Sequence, residues 1–138
     1  MNATTLLNNA RTTLHDHQDP DGPAVYAALL IAVHLAEHTA AATPDHAAAC
    51  AWDFCALALN ETLQTLSSPS RDRVAVSIDH DAITDSSLDA ITEGIRALIG
   101  QLTHLFRHAS TDPSEPAQRR HAWTGAASRL DRAAAEMP

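Results

Sequence analysis

Apolar residues recur along this chain at helical spacing, the pattern of helices that each bury one face. Residues 86–109 show it most cleanly. There Leu88, Ile91, Ile95, Leu98, Ile99, Leu102, Leu105 and Phe106 fall within about 120° of arc, as a core-facing stripe requires. Leu7, Ala10 and Leu14 mark a first helix over 3–17, which runs out in the polar segment from His15 to Pro23. Pro23 stands where a first helical residue is favoured, and the second helix, 23–42, is apolar nearly all round. Its one polar arc holds Tyr26, His34, Glu37 and His38. A helix of that composition belongs at the centre of a fold.

Thr43-Pro44-Asp45 supplies a cap, a first-turn proline and an acid that suits the helix dipole, so a third helix is expected over 44–66. Its main apolar face is Trp52, Cys55, Leu59, Leu63 and Leu66, while Phe54 and Leu57 lie off that face and imply a second contact. His46, Asp53, Asn60 and Gln64 form its polar stripe. Asp112-Pro113 reads as the start of a fifth helix, 113–136, with a narrow stripe of Trp123, Ala126, Ala127, Leu130, Ala133, Ala134 and Met137. Between them, 67–85 is expected to be irregular, because the strand-like alternation Val74 to Ile78 has no partner strand. The reading is all-α: residues 1–138 form one domain, a four- to five-helix antiparallel bundle.

Composition thins the expected core. Of 138 residues 45% are hydrophobic, but aromatics are 4% and 28 residues are alanine, so burial per residue is small. Self-association, as a homodimer or with a protein partner, is a reasonable expectation for such a domain. Trp123, Leu130 and Met137 recur every seven residues with alanines between them, which suits a helix–helix seam. The seam is filled either by the chain's own bundle or by a second copy.

A net charge of −8, from nine arginines, no lysine and seventeen acids, disfavours nucleic acid, whose phosphates such a domain repels. The one basic cluster, Arg119, Arg120, Arg129 and Arg132, reads as a solvated helix face. No secretory pattern opens the chain, and the longest apolar stretch, Ala24 to Ala36, is too short to span a bilayer. Cys50 and Cys55 point about 140° apart on one helix and cannot bridge within it, so they read as free thiols. These features favour a cytoplasmic protein with no membrane role.

Candidate chemistry is confined to His34-Leu35-Ala36-Glu37-His38. Two imidazoles four residues apart share a helix face and suit one zinc or another divalent transition metal, with Glu37 beside them. Helices two and three are expected to pack antiparallel, which lets Asp53 approach Glu37 and His38, while the sequence leaves open which polar stripes face each other. H-x-x-E-H resembles the signature of inverted zinc peptidases over those five residues, and that resemblance implies Glu37 as the base. Hemerythrin-like and DinB-like bundles resemble the expected architecture, with inward histidine and carboxylate ligands. Here, by contrast, His104 and His108 point away from their helix's apolar stripe, and His121 lies opposite Trp123. Four scattered glycines make no phosphate loop. The primary expectation is therefore a non-enzymatic interaction or regulatory module without a cofactor. The alternative is a metal-binding bundle, a hydrolase or transferase, built on His34, His38, Glu37 and Asp53.

Overall fold

A computed structural model describes residues 2–66, 76, 78 and 87–138. Five helices form: α1 (Ala3–Asp16), α2 (Pro23–Ala42), α3 (His46–Thr65), α4 (Leu88–Ser110) and α5 (Ala117–Glu136). No strand occurs among the described residues, and the fold is an all-α bundle. The expected irregular segment 67–85 lies outside the described residues except for Val76 and Ile78, which are partly buried against the core.

Local chemistry sets the helix starts. The Asn2 side chain accepts from the Thr5 amide at 2.8 Å and the Ser87 hydroxyl from the Ala90 amide at 3.0 Å, each satisfying a donor the helix leaves open. Two expected starts move inward. Asp45, not Thr43, caps α3, because its carboxylate accepts from the Ala48 amide at 2.9 Å. Asp112 begins a turn instead of the last helix. Its carboxylate takes both the amide and the hydroxyl of Ser114, at 3.0 and 2.7 Å, and α5 starts only after Pro116.

Packing follows the apolar stripes. α2 lies against α1, α3 and α4, which is why it is apolar nearly all round; α5 closes the bundle by packing on α3 and α4. α2 is also long and apolar enough to cross a bilayer by length and composition, unlike the shorter Ala24–Ala36 run, and most of it is buried inside this bundle. α1 bridges α2 and α4, burying Ala3, Leu7, Ala10 and Leu14. The close approach depends on Gly94. A Cβ built there would come within 2.7 Å of Leu7 Cδ1.

The stripe on α4 is buried from Ile91 to Phe106, but Leu88, at the helix start, is exposed. On α5, Trp123, Ala126, Ala127, Leu130, Ala133 and Met137 are all buried within the single chain. The seven-residue seam is therefore filled largely from inside the chain, with Ala134 only partly buried. Arg119 and Arg132 are exposed, as a solvated face requires, and also form surface ion pairs: Arg119 with Asp21 and Glu115, and Arg132 with Glu61 on α3. Arg107 of α4 likewise pairs with Asp131. One side chain is left over in the core. The Thr39 hydroxyl is buried and has no hydrogen-bond partner among the described residues.

Candidate functional site

Helix α2 holds His34, Glu37 and His38 on its polar arc, at the protein surface. His34 Nδ1 lies 3.8 Å from Glu37 Oε2, with side-chain exposures of 41% and 57%, and His38 is half-buried. Asp53 is exposed on α3. Among the described residues no group of three or more histidine, cysteine, aspartate or glutamate side chains is placed to hold a metal ion. The structure thus brings His34 and Glu37 together but does not assemble the four-residue set expected from the sequence.

A different region gathers the polar side chains. α1 and the C-terminal half of α4 flank a groove of about 1400 Å³, which is closed at one end by the link from α4 to α5. Arg11 and His15 line it from α1, one turn apart, and His104 and His108 line it from α4 at the same spacing. Asp112 and Glu115 line it from the link, and Leu14, Leu105 and Trp123 supply buried apolar surface beneath. The side-chain amide of Gln101 donates to the Arg11 carbonyl at 2.9 Å, pinning α1 to α4 at the groove wall.

Both histidine-bearing walls end here. His15 lies in the last turn of α1 and His108 in the last turn of α4, so the carbonyl ends of two helix dipoles meet at one place. The rings of His104 and His108 stack, with centroids 6.5 Å apart and planes 16° from parallel. Beside them, the hydrogen bonds from Ser114 hold the Asp112 carboxyl below the usual carboxylate range, with His108 and Arg120 adding smaller charge attractions. Glu115 is already engaged by Arg119, 3.1 Å away, whose guanidinium also lies 5.0 Å over the Trp123 ring.

The groove's hydroxyls are occupied. Thr12 donates to the Asn8 carbonyl at 3.0 Å and Thr111 to the His108 carbonyl at 2.7 Å, and among the described residues no serine or cysteine lines the groove. The free cysteines lie elsewhere, on α3. Cys55 is buried, and desolvation, reinforced by the Glu136 charge, pushes its thiol up to about 12. Cys50 is half-buried, with its sulfur 3.7 Å from His46 Nε2.

The His104–His108 pair is visible in the sequence as an i, i+4 spacing, whereas its facing Arg11 and His15 is not. The available signal was that the Arg11–His15 and His104–His108 pairs both sit at the ends of predicted helices. Which helix ends are neighbours is a tertiary fact. The geometry defines an all-α bundle with a polar groove at paired helix ends. Compared with protein-family models, curated proteins and solved structures, the chain matches none.

Proposed function

We propose that this chain is a non-enzymatic interaction module that takes an extended polypeptide segment of a partner protein into the groove between α1 and α4. The groove itself carries the reading. At about 1400 Å³ it is larger than the clefts of about 300–1,000 Å³ that enclose compact ligands. Its amide side chains, Asn8, Gln18 and Gln101, suit a backbone that needs both donors and acceptors, over an apolar floor. The committed hydroxyls of Thr12 and Thr111 support a binding role over nucleophilic catalysis.

The test is a peptide-display selection on the folded chain, followed by affinity measurement on a groove-filling variant, Thr12→Trp. Peptides that bind the parent and lose at least about tenfold in the variant support the reading. Peptides that bind both proteins equally place the interaction elsewhere and overturn it.

One observation favours a second reading. Phe54 and Leu57 are 58% and 55% exposed and lie three residues apart on α3; among the described residues Leu88 is the one other large apolar side chain that is exposed. A second copy meeting this patch across a two-fold axis brings four such side chains together in one self-complementary contact. This reading predicts a homodimer that Phe54→Glu with Leu57→Glu converts to a folded monomer. Light scattering that finds the parent monomeric at micromolar concentration sinks it.

A further inference from the structure

Of the histidine pairs, His104 and His108 differ from the pentad in having their rings already stacked, one above the other, on the wall of a groove. A residue four positions on lies one turn up the helix, about 5.4 Å along the axis, which accounts for most of the 6.5 Å between the ring centroids. For both rings to reach one zinc-like ion at about 2.0–2.1 Å, their centroids must close by roughly an ångström. That movement is a tilt of two exposed side chains toward each other, and no backbone has to shift.

The surroundings select the sign of the ligand. His108 lies in the last turn of α4, where the partial negative charge of open carbonyls favours a cation. The Asp112 carboxyl lines the same groove from the link that follows α4, and the chain carries −8 overall. Arg11 across the groove and Arg120 beside Asp112 are opposing charges, and Arg11 ends a flexible exposed side chain that can turn to solvent. An anion, by contrast, meets the helix end, Asp112 and the net charge together.

We propose that His104 and His108 form a two-imidazole chelate for a divalent transition cation, with water completing its coordination and Asp112 supplying charge from outside the first ring of ligands. Imidazole nitrogen suits zinc, copper and nickel, whereas calcium and magnesium take oxygen donors. The proposal goes beyond the peptide reading and does not depend on it, since a cation can bind here whether or not a polypeptide occupies the groove.

Calorimetric titration of the chelator-washed chain with zinc chloride at neutral pH tests it. The tightest binding event should have one zinc per chain, and His104→Ala or His108→Ala should weaken it by about tenfold or more. His34→Ala and Cys50→Ala, which remove the pentad and the His46–Cys50 pair as competing donors, should leave it unchanged. Nuclear magnetic resonance of the unsubstituted chain gives an independent reading, with the imidazole signals of His104 and His108 shifting at the lowest zinc ratios. Absence of a binding event, its survival in both α4 variants, or its loss in His34→Ala or Cys50→Ala overturns the proposal.

Discussion

Alkaline solution should weaken this bundle through one thiol. Cys55 is fully buried on α3, and its thiol is pushed up to about 12 from 9.0, first by desolvation and then by the Glu136 charge. The unfolded chain releases this proton near its ordinary value; the folded chain holds it. Below pH 9.0 both states are protonated and the thiol does not bias folding. Between 9.0 and about 12 the unfolded state is progressively favoured, at about 1.4 kcal/mol per pH unit, to a ceiling of about 4 kcal/mol. For a domain stable by about 5–15 kcal/mol, that is a large share. Urea denaturation from pH 7.5 to 11, on the parent and on Cys55→Ala, isolates the effect, because every other alkaline titration is common to both chains and cancels. The alanine variant carries a constant packing penalty, so it should begin less stable and lose less as pH rises. Two parallel stability profiles would refute the account, by showing that Cys55 meets water freely in the folded chain.

Three further outcomes test the packing. Gly100 has open space where a Cβ would stand, so Gly100→Ala should stabilise the chain by about 1 kcal/mol, while Gly94→Ala should forfeit most of that gain against Leu7; paired thermal melts decide. Thr39→Val replaces a buried, unpartnered hydroxyl with a methyl group of similar shape and should raise stability by about 1 kcal/mol, read by denaturant midpoint. Leu98→Pro, at a fully buried position inside α4, removes a helix hydrogen bond and clashes with the preceding turn, costing about 3 kcal/mol or more; circular dichroism should show the helical signal lost.

Much of the fold was legible because helix burial has a local signature. The stripe from Ile91 to Phe106 buries as its spacing requires, and α2 reads as central because only a helix with three helical neighbours can bury Val25, Leu29, Ile31 and Leu35 together. Errors fell where two local rules compete for one residue. At Asp112 the sequence offers both a helix cap and a side-chain turn. The turn wins because Ser114 provides two donors within reach of one carboxylate. At Thr43 and Asp45 either side chain is a legitimate cap, and the hydroxyl of Thr43 is instead spent on the Thr39 carbonyl at 2.6 Å.

The candidate site was less legible for a different reason. Helical spacing tells which residues of one helix share a face, and so it found His34 with His38 and His104 with His108 equally well. What distinguishes the pairs is what stands opposite them. Glu37 lies on the same helix as His34 and was visible as a motif, yet their contact of 3.8 Å at a solvent-exposed surface brings in no residue from another element. His104 and His108 face Arg11 and His15, which lie far earlier in the chain, because Leu7 and Leu14 bury α1 against the rest of the bundle and Gly94 lets it approach α4 closely. The apolar side of α1 therefore fixes what its polar side can do. A substitution at Leu7 or Gly94, far along the helix from any histidine, should alter the groove as surely as one at His15, since each changes how α1 lies on α4.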